Sequence, residues 1–318
     1  RNRNMRLTAS LNFRIAHRLL VNDAKVGRAT AIKKDDLKVK IGLEIHARIK
    51  AMSKIFSDAN SLDFDGASSA TNTNANEFDA AMPGSMPTLN RRCVEASLMT
   101  ALALNCQVNG LHYFYSDLPA GYQITQQRKP VAESGHLVYP VIDPKSHALA
   151  YKSCRIKRIQ LEHDSARSLS VDDDFELKMD EKRKLPKDSI LIDLNRAGLG
   201  LMEIVTEPDF EHAFDCYSFA RELAFILRSM DTCSANMADG GFRVDINVSV
   251  HRVDHLGGVL PGVRVELKNI NSFSAILKAT EYEIRRQKQL VANKQPIVHE
   301  TRSCLLYTSP SPRDYCAH

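Results

Sequence analysis

The chain contains no tryptophan, and its seven cysteines (Cys93, Cys106, Cys154, Cys216, Cys233, Cys304 and Cys316) include no C-x-x-C pair. An odd count at wide spacing argues against a disulfide framework and against a zinc ribbon, and suits a reducing compartment. No apolar run approaches the ~18 residues that a membrane helix needs, which excludes a helical membrane span. No G-x-x-x-x-G-K-[ST] occurs, and Ala197-Gly198-Leu199-Gly200 is only a fragment of a G-x-G turn. P-loop and Rossmann nucleotide sites are therefore absent. Neither G-x-S-x-G nor a serine-rich amidase stretch appears, so the sequence carries no serine-hydrolase signature. What is present is ordinary for a globular chain: 318 residues, 43% apolar and 25% charged, enough for a substantial core.

The net charge of +5 is unevenly spread. Residues 1–34 hold nine Lys or Arg against the single acid Asp23, a balance of +8, so the other 284 residues sum to −3. Arg1, Arg3, Arg6, Arg14 and Arg18 recur with Leu7, Leu11, Ile15 and Leu19 at near-helical spacing. A basic, amphipathic, acid-poor leader of this kind reads as a mitochondrial transit peptide over residues 1–36, which places the chain in the matrix. Residues 37–302 read as one catalytic domain. Residues 303–318, with two Ser-Pro steps and no periodicity, read as a tail outside the fold.

Within that domain, Val39–Ile49, Arg155–Leu161, Ile190–Leu194, Phe242–Val250 and Val263–Ile270 are expected as strands, several of them alternating apolar and polar. Helices are expected after the N-cap Asn90, over about Glu211–Met230, and over about Ser274–Val291. Ser57–Ala81 is polar and ends in the turn-forming PGSMP, and so reads as loop. Strands and helices do not alternate strictly. The fold class expected is α+β, a largely antiparallel sheet flanked by helices.

Side chains two apart on a strand share a face. Glu44 with His46, Glu162 with Asp164, Arg243 with Asp245 and Asn247, and Glu266 with Lys268 are such pairs. Gathered in one sheet, they would offer hard oxygen ligands for Mg2+ and cations for phosphate oxygens. A solvated face of a half-exposed sheet would have the same pattern. Asp193–Asp209 adds Glu203 and Glu207 beyond a tight turn, either an ordinary strand–turn–strand or a loop at a polar site. Ser116–Gln126 combines a turn, an aromatic and amides in a mix suited to substrate handling. His163, Asp164 and Ser165, adjacent in sequence, cannot form a catalytic triad.

The motifs KIGLEIH, PGSMPTLN, YFYSDLPAGYQITQ, DLNRAGLGLMEIVTEPD, DGGFRVDINVSV and VELKNINSFSAILKATEYEIRRQ occur here in order. Together they closely resemble the B-subunit family of the glutamyl/aspartyl-tRNA amidotransferases, in its mitochondrial form, over about residues 38–302. The resemblance implies a cradle similar in fold to glutamine synthetase. It also implies a ligase that uses ATP and Mg2+ to phosphorylate the misacylated side chain of Glu-tRNA(Gln). Ammonia, supplied by an amidase-type A subunit that a small C subunit links to this one, then displaces phosphate. By match to the family motifs, Glu44, His46, Glu162 and Glu266 are the expected catalytic and metal residues. Glu203, Asp245, Arg243 and Lys268 are expected around the nucleotide. His163 departs from the second acid usual in bacterial members, and the segment before Tyr113 is shorter than usual. The resemblance also implies helical and tail domains beyond Arg302 that grip tRNA. A scaffold of the same family without catalysis is the alternative.

Overall fold

The structure is a computed structural model that describes residues 37–304, apart from 62–69, 112–113, 115–122, 127, 143–147, 171–188 and 255–257. The basic leader, Tyr113 and Tyr115 of a further short run expected as strand, most of Ser116–Gln126, and residues 171–188, a highly charged stretch expected as a solvated loop or hairpin, lie outside the described residues. Eleven strands and three helices are described. In chain order they are β1 (Leu37–Arg48), α1 (Arg91–Ala103), β2 (Gln107–Val108), β3 (Ala132–Ile142), β4 (Leu149–His163), β5 (Arg167–Ser170) and β6 (Ile190–Asp193). Then follow β7 (Gly200–Thr206), α2 (Ala213–Ser229), β8 (Phe242–Val253), β9 (Val259–Leu260), β10 (Val265–Ile270), α3 (Phe273–Ala292) and β11 (Thr301–Ser303).

One sheet dominates, in the order β11-β10-β8-β1-β7-β4-β3-β2 with β9 added on β8. Its pairings are antiparallel except for β10 with β11. The α+β expectation therefore holds. β1 lies at the centre because its alternation is carried on both sides: Ile41, Leu43, Ile45 and Ala47 point into the core together with Val244, Ile246 and Val248 of β8 and with Ile204 of β7. Helices α2 and α3 pack on each other, α2 on β3, and α3 on β8 and β10, while α1 packs on β4. Tyr139 of β3 meets Phe210 and, on α2, Phe219 edge-on or tilted, at 5.6 to 6.1 Å between ring centres.

The helix boundaries follow from their caps. Asn90 accepts from the Arg92 amide, as the sequence leads one to expect, and Ser272 accepts from the Ala275 amide. Where β10 stops short, α3 supplies a substitute for the missing strand: Gln287 accepts from the Val250 amide at 3.0 Å and donates to the Val248 carbonyl at 3.1 Å. This satisfies backbone groups that would otherwise be buried without partners.

Of the longer strands, β3 escaped the sequence reading and β7 was read only as one of two alternatives; the short β2, β5, β9 and β11 were not expected either. β3 contains Gly135 and Pro140, which punctuate its pattern. β7 is buried on both faces through most of its length, so its apolar run does not alternate. The Asp193–Asp209 stretch is the strand–turn–strand alternative, β6–turn–β7. Ser303 and Cys304, read from sequence as tail, belong to the sheet edge: Ser303 ends β11 and Cys304 is 3% exposed. Among the described residues, no helix is long and apolar enough to cross a membrane.

Candidate active site

The apolar halves of β1, β7, β8, β10 and β4 face the helices, so their alternate residues share the opposite face. Register brings these together: His46 stands between Arg243 on β8 and Glu203 on β7, and Glu44 between Asp245 and Val205. Glu203 in turn stands opposite Gln160 on β4. The result is an acidic centre around one imidazole. His46 Nδ1 lies 2.8 Å from Glu162 Oε1, and its Nε2 lies 3.9 Å from both Glu44 Oε1 and Asp245 Oδ2.

Cations ring this centre. Lys268 Nζ is 3.2 Å from Asp245 and 3.5 Å from Glu266, whose other oxygen accepts from the Thr301 hydroxyl at 2.8 Å. Arg158 lies 3.6 Å from Glu203. Arg243 donates to Asp164 at 2.9 Å, and Asp164 also faces Arg196 at 3.8 Å. All eight residues expected from sequence therefore lie on one face. Glu44, His46, Glu162, Glu203 and Asp245 form its centre, and Glu266 reaches it only through Lys268. Arg243 is turned toward Asp164.

Sequence reasoning passed over Gln160 and Arg158. The signal was available, since the two-residue spacing that selects Glu162 continues backward through both. Gln160 is 2% exposed, donates to Glu203, and accepts from Arg158 Nε at 2.9 Å.

The electrostatics are those of crowded carboxylates. Burial, the hydrogen bond with Glu44 and the charge of Glu162 push the Glu203 acid up to about 9. Burial opposes ionisation of Glu44 as well, but the bond from Glu203 and the charge of His46 hold it below the usual carboxylate range. Glu203 thus carries the proton that the pair shares. His46 is raised: burial works against its cationic form, but Glu162 and Asp245 outweigh it. Burial likewise raises Asp245 despite Lys268.

A consequence for stability follows. Between the unfolded value of 4.5 and about 9, the folded chain holds a proton at Glu203 that the unfolded chain has lost. Stability therefore falls as pH rises through that window. Glu203→Gln, which keeps the donor but not the charge, is expected to melt higher than the unaltered chain at pH 8. The gain should be at least ~1 kcal/mol, roughly one pKa unit's worth, and should vanish near pH 4.5. Parallel thermal melts at the two pH values check this; an equal effect at both would contradict it.

The donor set suits a hard divalent cation, which prefers carboxylate oxygen and would neutralise charge that a proton on Glu203 now offsets. Among the described residues, no three His, Cys, Asp or Glu side chains already stand at metal-gripping separation. Glu162, bonded to His46 Nδ1, has the placement of a carboxylate that orients an imidazole while leaving Nε2 toward Glu44 and Asp245.

Comparison with known proteins gives a consistent result. The GatB/GatE catalytic domain family matches residues 39–311. The mitochondrial B subunit of glutamyl-tRNA(Gln) amidotransferase from Homo sapiens is 48% identical over 270 residues, covering 83% of this chain and 45% of that protein. The protein of the same name from Danio rerio is 47% identical over 270 residues, with the same coverage of 83% and 45%. The B subunit of the aspartyl/glutamyl-tRNA(Asn/Gln) amidotransferase from Rickettsia prowazekii is 38% identical over 268 residues, covering 82% and 50%. The chain spans about half the length of the curated relatives it matches.

Proposed function

The chain belongs to the GatB/GatE catalytic domain family, and on that footing we propose that it activates the side-chain carboxylate of Glu-tRNA(Gln) with ATP, for conversion to Gln-tRNA(Gln). The supporting observation is the convergence of Glu44, His46, Glu162, Glu203 and Asp245, from four strands, on one polar sheet face. The proposal places the reaction in mitochondria, with residues 1–36 as the targeting segment. An amidase-type A subunit supplies ammonia, and a small C subunit links the two. A reporter fused to residues 1–36 that stayed cytosolic would contradict the location.

In this reading Glu44, His46, Glu162 and Glu266 hold Mg2+, directly or through water. Bound there, the ion supplies charge neutralisation for the phosphates. Lys268, Arg243 and Arg158 ring the acidic centre and are available to nucleotide oxygens, with Asp245 fixing Lys268. Positioning and charge neutralisation are the main needs of phosphoryl transfer. An oxygen of the substrate carboxylate attacks the γ-phosphorus, and ADP departs with the electron pair of the broken bond. Ammonia then attacks the acyl carbon, loses a proton, and expels phosphate, which carries away the original carboxylate oxygen.

ADP release by the assembled subunits, measured with and without Glu-tRNA(Gln), tests the proposal. The expected result is turnover stimulated by the misacylated tRNA and not by free glutamate. Turnover indifferent to the tRNA would contradict it, and no turnover at all would contradict it in favour of a scaffold.

A further inference from the structure

We infer that Gln160 is a positioning residue that ties the segment 123–126 to the Glu203–Glu44 pair, so that the pair is aligned only when that segment is seated. The inference rests on the amidotransferase reading above and adds to it two residues, Gln160 and Thr125.

The segment lies beside β4 as a short added strand. Thr125 forms an antiparallel bridge with Glu162. The His163 amide donates to the Ile124 carbonyl at 3.2 Å, and the Ile124 amide donates to His163 Nε2 at 3.2 Å. Gln126 Oε1 accepts from the Leu161 amide at 3.0 Å, and Gln123 Nε2 donates to the His163 carbonyl at 3.0 Å. Every residue from Gln123 to Gln126 is thus fastened to the stretch of β4 that bears Glu162.

Gln160 joins this segment to the acidic centre. Its Nε2 donates both to Thr125 Oγ1, at 3.0 Å, and to Glu203 Oε2. Its Oε1 accepts from Arg158. A primary amide has two N–H donors and one carbonyl, and here both donors and the carbonyl are used. No other side chain of this size meets the three demands. Glutamate would place a second anion against Glu203, and methionine would fill the volume without any of the bonds. Because Glu203 is hydrogen-bonded to Glu44, the chain of contacts runs Thr125–Gln160–Glu203–Glu44. A displacement of about 1 Å at a reacting centre costs about 10²-fold in rate, so this chain can govern turnover without touching substrate.

The test uses Gln160→Met, Thr125→Val and the double variant, in the assembled complex for kinetics and in the full chain for melting. Gln160→Met should lower kcat by about 10²-fold with the KM for ATP changed less than about twofold. Thr125→Val should lower kcat by about tenfold, and the double variant should match Gln160→Met, because Thr125 acts through Gln160. In melting, Thr125→Val should cost nothing further once Gln160 is methionine. Multiplied losses in kcat, additive losses in melting temperature, or a raised KM at unchanged kcat would overturn the inference. If the unaltered complex performs no transamidation, the amidotransferase reading fails, and the melting cycle alone decides whether the Thr125–Gln160–Glu203 unit exists.

Discussion

Glu44→Ala and His46→Ala are each expected to reduce amide formation by at least about 10³-fold, while circular dichroism still reports a folded chain. The size follows from removing a ligand or its partner at a centre whose work is charge neutralisation and alignment. The fold survives because neither side chain belongs to the core: both lie on the polar face of β1, and the neighbours Leu43, Ile45 and Ala47 carry its packing. The two variants should differ in stability. Glu44→Ala relieves the crowding that forces a proton onto Glu203. His46→Ala strips Glu162, 6% exposed, of its 2.8 Å partner, and leaving a buried polar group unpaired costs about 1–3 kcal/mol. His46→Ala should therefore melt lower than Glu44→Ala. Unaltered transamidation by either variant at limiting Mg2+ would refute their assignment.

The largest loss of stability is expected away from the acidic centre, at Lys54. Its side chain is 0% exposed and that of Asp79 is 1%, with Nζ and Oδ2 3.0 Å apart. Lys54 also donates to the Leu194 carbonyl at 3.2 Å. Asp79 accepts from Ser57 Oγ at 3.1 Å and from the Asn76 amide at 3.2 Å. Burial pulls the Lys54 ammonium down and Asp79 opposes it. Gly198 closes over the pair at φ +81°, where a Cβ would stand 2.4 Å from Asp79 Oδ1. A side chain there would be both strained and blocked. Through this pair the polar loop that follows β1 is fastened to the turn between β6 and β7. Lys54→Met leaves the carboxylate buried without its cation, which costs about 3–5 kcal/mol. Lys54→Met combined with Asp79→Leu should recover much of that. Urea denaturation of the three chains is the measurement; a loss under about 1 kcal/mol in Lys54→Met would show that the pair is not the clamp described here.

How much of this could be read from sequence depends on what each residue faces. β1 and β8 alternate cleanly because one face is core and the other polar, so Glu44, His46, Arg243 and Asp245 fall out of a two-residue rhythm. α1 was legible from its capping asparagine. β7 was not, since burial on both faces erases the rhythm, and Glu203 stood out only through its motif. Ser57–Ala81 reads as loop and contains no regular element among its described residues, but nothing local reveals that Lys54 and Asp79 clamp it. Strand order is the deepest omission. β1 borders β7 across a gap of 163 positions, as the Leu43 to Thr206 hydrogen bond shows. Only that pairing sets Glu203 beside Glu44, and only the pairing of β4 with β7 sets Gln160 beside Glu203; pairings of such range leave no local trace.

The central claim is that this sheet face activates a carboxylate as an acyl phosphate. It is tested most directly with Glu-tRNA(Gln) whose side-chain carboxylate is labelled with oxygen-18, given ATP and glutamine in the assembled complex. The account predicts that the phosphate released carries one labelled oxygen for each Gln-tRNA(Gln) formed, and that Glu44→Ala abolishes both products together. Phosphate without label, alongside amide formation, would mean that the carboxylate oxygen never bonded to phosphorus and would contradict the account.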